Sequence, residues 1–148
     1  MQRRSFLQGL VITLFALPFH AFAALANMVW NKPAFNATQL SEASKDLDIS
    51  NEIASNDIEL IAPDRAENGA VVQIQVTSRI PNTEAIIILV EHNPTSLIAE
   101  FTFANGAEPF VITRIKMADN SAIKVVVKAN NQYFTTSKNV EVLSNGCG

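Results

Sequence analysis

The chain has 148 residues, 48% hydrophobic and 17% charged, with a formal net charge of −3. That is apolar material for one core, and no basic excess points to nucleic acid. One cysteine and two histidines exclude an internal disulfide and a cysteine or histidine metal cluster, and no cofactor is expected.

Residues 1–26 read as a targeting segment removed on export, not as part of the fold. Arg3-Arg4-Ser5-Phe6-Leu7 resembles the bacterial twin-arginine (Tat) export signal. The apolar run from Leu10 to Phe19 is too short to span a bilayer as a helix. Ala21-Phe22-Ala23 and Ala24-Leu25-Ala26 both fit a cleavage site, so cutting after Ala23 and cutting after Ala26 stay open. Cleavage removes Arg3 and Arg4 and no acid, which makes the mature chain two units more negative. The expected location is the periplasm, free of the membrane once the signal is cut, where an unpaired thiol oxidises readily.

Residues 27–57 read as an N-terminal helix and linker. Asn36 to Leu47 forms the helix, with Asn36 as N-cap and Leu40, Ala43 and Leu47 on one face. Asp48 to Asp57 reads as a loop. From residue 58 to 142 the pattern is all β. Ile58 to Ala62 is a short strand, and Asp64 to Gly69 a polar turn. In Ala70 to Ser78, Val72, Ile74 and Val76 alternate with polar residues. Ala85 to Glu91 is continuously apolar, as expected of a strand buried on both faces or at a sandwich centre. Asn93-Pro94 turns the chain. Leu97 to Phe103 places Leu97, Ala99, Phe101 and Phe103 on one side. Phe110 to Met117 sets Phe110, Ile112 and Arg114 against Val111, Thr113, Ile115 and Met117. Ile123, Val125 and Val127 alternate with Lys124, Val126 and Lys128, and Asn130-Asn131 makes a tight hairpin. Gln132 to Ser137 and Asn139 to Leu143 close the series. Seven or eight short strands predict an antiparallel β-sandwich of immunoglobulin type.

Residues 143–148 form a C-terminal arm, Leu143-Ser144-Asn145-Gly146-Cys147-Gly148. Gly146 and Gly148 remove steric limits on both sides of the only cysteine, and Asn145 tolerates the left-handed region. The thiol is therefore presented rather than buried. From Val142 to Cys147 an extended chain spans at most about 17 Å, enough to enter a cleft on another protein. No phosphate loop, HExxH or GxSxG is present, and an enzyme is not expected. His92 beside Asn93-Pro94 reads as a turn histidine, Glu67-Asn68-Gly69 as a turn, and Arg114 and Lys116 as a solvated face. On these residues alone two functions stand: a covalent carrier acting through Cys147, or an exported immunoglobulin-like structural or adhesive subunit that dimerises through it.

The arm resembles the C-terminal Gly-Gly-Cys-Gly-Gly of the SoxY family, the Y subunits of the sulfur-oxidising (Sox) carrier. Ala66-Glu67-Asn68-Gly69-Ala70-Val71-Val72, Asn93-Pro94, Arg114-Ile115-Lys116-Met117 and Val126-Val127-Lys128-Ala129 are similar to that family in the same order. The resemblance implies a carrier that pairs with a SoxZ-like immunoglobulin-type subunit and holds sulfur on Cys147, flanked by Gly146 and Gly148. It implies thiosulfate as cargo, joined by the c-type haem protein SoxXA. SoxB then hydrolyses the sulfone, and in some organisms SoxCD oxidises the remaining sulfur. Two departures stand out: Asn145 replaces the first glycine, and Cys147 is penultimate because the last glycine is missing. The second puts a carboxylate near the sulfur, which is expected to raise the thiol pKa slightly.

Overall fold

The computed structural model describes residues 31–143. Residues 1–30, with the predicted export signal, and the residues from 144 onward, Asn145, Gly146, Cys147 and Gly148 included, lie outside them. Two short helices, α1 (Lys32–Asn36) and α2 (Leu40–Asp46), stand where the sequence predicts one. The N-cap is Asn31, whose side chain accepts a hydrogen bond from the Ala34 amide at 3.3 Å, with Pro33 in the first turn. Asn36 is instead the last residue of α1. The helix breaks at Ala37, which is extended and whose carbonyl accepts from the Ser96 amide at 3.1 Å. A continuous helix would have used that carbonyl internally, so the tie to the sheet wins.

Nine strands follow among the described residues. The larger sheet runs β1 (Ile53–Ala54), β9 (Gln132–Val142), β8 (Ser121–Ala129), β5 (Thr83–Val90), β6 (Leu97–Thr102), and β3 (Arg65–Ala66) also pairs with β9. The smaller sheet runs β2 (Ile58–Ile61), β4 (Val72–Ser78), β7 (Phe110–Ile115). The predicted loop at 48–57 thus contains β1, and the predicted turn at 64–69 contains β3. Both are two-residue strands lying parallel along β9, so the sandwich is not purely antiparallel. They are too short to show a period. The two predicted last strands are one strand of 11 residues, because Lys138 and Asn139 continue the ladder opposite Ile123 and Ala122.

The main core lies between the sheets, where Val72, Ile74 and Val76 meet Ile86, Ile88, Val90, Ile123, Val125 and Val127. A second core lies on the other face of the larger sheet. There Ile87, Leu89, Leu97 and Val126 pack against Ala34 and Ala43, with Phe35, Leu40 and Leu47 around them. This is why β5 is apolar on both faces. Helices of this length are marginal alone. Burying side chains such as Ile87 and Leu89 contributes about 1.5–3 kcal/mol each, which holds the helical layer in place. In β6 the expected one-sided set is split. Ile88 pairs with Ala99 but Leu89 with Leu97, so Ile98 is an extra, bulged residue. Leu97 accordingly faces the helices, while Ile98, Phe101 and Phe103 face the main core.

Candidate functional site: the root of the C-terminal arm

The arm leaves from the end of β9, and that end is held from three sides. The Glu141 amide donates to the Asp64 carbonyl at 2.9 Å, and the Leu143 amide to the Ala66 carbonyl at 2.9 Å. The Val142 amide donates to the Asn120 side-chain oxygen at 2.7 Å. β3 exists because these bonds pull residues 64–66 alongside β9. The backbone is thus fixed through Leu143, one residue before the undescribed segment.

Gly69 packs into the same junction. A Cβ there would lie 2.3 Å from the Met117 carbonyl oxygen and 2.8 Å from Val142 Cγ1. The Met117 amide donates to the Gly69 carbonyl at 2.8 Å. The turn is shaped by Asn68, whose side chain accepts from the Ala70 amide at 2.8 Å. The sequence reads Glu67-Asn68-Gly69 as turn chemistry; the structure adds a close approach of backbones that excludes a side chain at position 69.

His92 lies at this end as well. Its Nδ1 is 2.8 Å from the Asn120 carbonyl oxygen, so Nδ1 carries the hydrogen and Nε2 is left to accept in the neutral ring. Its amide donates to Ser121 Oγ at 3.0 Å. An open cleft of about 380 Å³ runs beside it, with Asp64, Glu91, Asn120 and Glu141 on its walls. Two of these carboxylates are neutralised: Lys138 Nζ lies 2.9 Å from Asp64 Oδ1, and Arg65 Nε 3.0 Å from Glu141 Oε2. The hydrogen bond and the positive charge of Lys138 hold the Asp64 carboxyl below its ordinary value. Arg114 and Lys116 are exposed, on the outer side of β7 and just past it.

Sequence reasoning missed Asn120 and undervalued Asn93. Asn93 is buried, donates to the Lys116 carbonyl at 2.7 Å and accepts from the Ala118 amide at 2.8 Å. It thereby holds the loop that carries Asn120 to β9. A turn asparagine and a bridging asparagine look alike in a sequence, because the partner is far along the chain.

The family model for the sulfur oxidation protein SoxY matches residues 45–147. The chain belongs to the SoxY family. The match begins in α2 and its last residue is Cys147. The solved structure of the sulfur carrier protein SoxY from Chlorobium limicola f thiosulfatophilum is similar to this chain, with a TM-score of 0.65 and 30% identity. The similarity covers 77% of this chain and 100% of that one. No curated protein sequence matches. As a SoxY family member the chain is a sulfur oxidation protein, and the mostly-β sandwich with two small helices agrees with that relative.

Proposed function

We propose that this chain is a periplasmic sulfur carrier, exported by the Tat pathway, that holds thiosulfate-derived sulfur on Cys147. The observation that carries the reading is that the SoxY family match runs through to Cys147. The chain itself is no enzyme; it is the substrate of partner enzymes. In the first step the Cys147 thiol and the outer sulfur of thiosulfate form an S–S bond. The thiol proton is released and two electrons pass to a c-type haem protein of the SoxXA kind. In the second, a SoxB-type hydrolase adds water across the bond to the sulfone. Sulfate leaves, and the outer sulfur stays on Cys147 as a persulfide. A SoxCD-type enzyme, where present, oxidises that sulfur further. A SoxZ-like subunit completes the carrier.

The root geometry suits this role. The hydrogen bonds at Glu141, Val142 and Leu143 fix where the arm starts, at one end of the sandwich. The experiment is Cys147→Ser in a reconstituted system with the partner enzymes. Thiosulfate-dependent electron release is expected to vanish while the circular dichroism spectrum is unchanged. Retained turnover refutes the carrier role. Intact mass spectrometry of the native C-terminal peptide checks it independently. Sulfur-containing adducts are expected; a peptide found only as its disulfide dimer points instead to the structural subunit.

A further inference from the structure

A second cleft opens near the root of the arm. The point that a Cβ at Gly69 would occupy touches both the Met117 carbonyl oxygen, at 2.3 Å, and Val142 Cγ1, at 2.8 Å, so residues 116–118 run next to the end of β9. Beside them lies a cleft of about 370 Å³. Arg114 and Lys116 reach it from β7 and just past its end; Thr95, Leu97 and Ile98 reach it from β6 and the turn before it. Asn93 joins the two sides through its hydrogen bonds to the Lys116 carbonyl and the Ala118 amide. Arg114 and Lys116 are exposed and form no salt bridge among the described residues. Among those residues no carboxylate lines the cleft; Glu67 and Asp119 are near in sequence but are not on its walls. The cleft beside His92 is the opposite case. Its walls carry Asp64 and Glu141, both paired, and Glu91, which forms no salt bridge among the described residues. One opening thus attracts an anion and the other repels it.

We propose that this cleft docks the chain's own loaded arm, with the sulfonate at the tip of the thiosulfate adduct on Cys147 held between Arg114 and Lys116. A sulfonate offers three acceptor oxygens, which suit the paired donors of a guanidinium and the point charge of a lysine. The length of the arm allows it. An extended chain from Leu143 reaches Cys147 within about 14 Å, and the adduct extends beyond the sulfur. A tether this short keeps the anion at millimolar effective concentration, so two surface cations capture what they would not hold from dilute solution. The unloaded thiol is neutral and has no such anion to offer, so loading itself draws the arm to the cleft. The cargo comes from the carrier reading, on which this site rests.

The test is NMR of isotope-labelled protein loaded with tetrathionate. The Cys147 thiolate attacks an inner sulfur; a new S–S bond forms as the central one breaks, and the other half leaves as thiosulfate. A second sample is capped with iodoacetamide, which leaves the sulfur neutral. Amide shifts at Thr95, Arg114 and Lys116 are expected with the anionic adduct and not with the neutral cap, and they are expected to fade as salt rises. Arg114→Gln combined with Lys116→Gln, at two exposed positions, is expected to abolish them with an unchanged thermal midpoint. No shifts at these amides, equal shifts from both caps, or shifts that survive the double substitution each overturn the proposal. Free thiosulfate added to Cys147→Ser is expected to shift the same amides only at millimolar concentration. Saturation at micromolar concentration assigns the cleft to the free ion and overturns docking of the arm. Tetrathionate loads an accessible thiol whatever its duty in the cell, so a failure here leaves the carrier function standing. Failure of the carrier function shows instead as turnover retained in Cys147→Ser.

Discussion

At the scale of single residues, the end of β9 is held by groups distant in sequence. Lys138 reaches the Ala62 carbonyl at 2.5 Å and Asp64 Oδ1 at 2.9 Å, closing residues 62–64 onto β9. Its hydrogen bond to Asp64, and then its charge, lower the Asp64 pKa from 3.8. The sign of the linkage follows. An acid whose folded pKa lies below its unfolded one stabilises the fold fully above the unfolded value and loses that contribution as pH falls through the folded one. The Asp64 side chain is 87% exposed, so the effect is small and screened by salt. Replacing Lys138 by Gln is expected to return the Asp64 titration, followed by carboxyl NMR, toward the ordinary carboxylate value. The stability difference between the two proteins is expected to narrow below about pH 4, where the carboxylate of the variant protonates first. An Asp64 titration unmoved by the substitution contradicts the ion pair.

Among elements, legibility followed the reach of the pattern. Val72, Ile74 and Val76 announce β4 because one face is buried and one is wet, and β5 announces itself by being apolar throughout. The two-residue strands β1 and β3 carry no period and exist only because β9 offers its edge. The bulge at Ile98 was invisible, since both Leu97 and Ile98 are apolar and only the pairing shows which faces which core. At the root of the arm, Asn120 and Asn93 were not legible, because their partners Val142 and Lys116 lie 22 and 23 residues away; Cys147, proposed from its flanking glycines, lies outside the described residues. The hairpin between β8 and β9 was legible for a backbone reason. Asn130 and Asn131 sit at φ 50° and 59°, as a two-residue turn of primed type requires. Alanine lacks the local hydrogen bonding that lets asparagine visit this region, so Asn130→Ala and Asn131→Ala are each expected to cost about 1–2 kcal/mol. Asn131→Gly is expected to cost nothing. Urea denaturation midpoints measure all three, and a neutral Asn131→Ala contradicts the turn.

For the whole molecule, the sandwich has two ends tied together by different contacts. At one end gather residues 91–96, the 116–120 loop, the turn at Gly69 and the root at Leu143. At the other lie the Asn130-Asn131 hairpin and Asn82, joined by a side-chain hydrogen bond of 3.2 Å. β9 connects the two. Its 11 residues, at roughly 3.3 Å each, put the hairpin about 33 Å from Val142. From the fixed Leu143, an extended chain reaches Cys147 within about 14 Å whatever path it takes. On the proposed function, a partner enzyme is therefore expected to approach that end. A nitroxide attached to Cys147 turns this geometry into a measurement. Amide signals of Gly69, Asn93 and Asn120 are expected to broaden strongly, and those of Asn82, Asn130 and Asn131 to broaden least. Releasing the root by Asn120→Ala is expected to extend the broadening along β9 toward Thr136. Broadening as strong at Asn130 as at Asn120, in protein kept dilute enough to be monomeric, contradicts an arm anchored at Leu143.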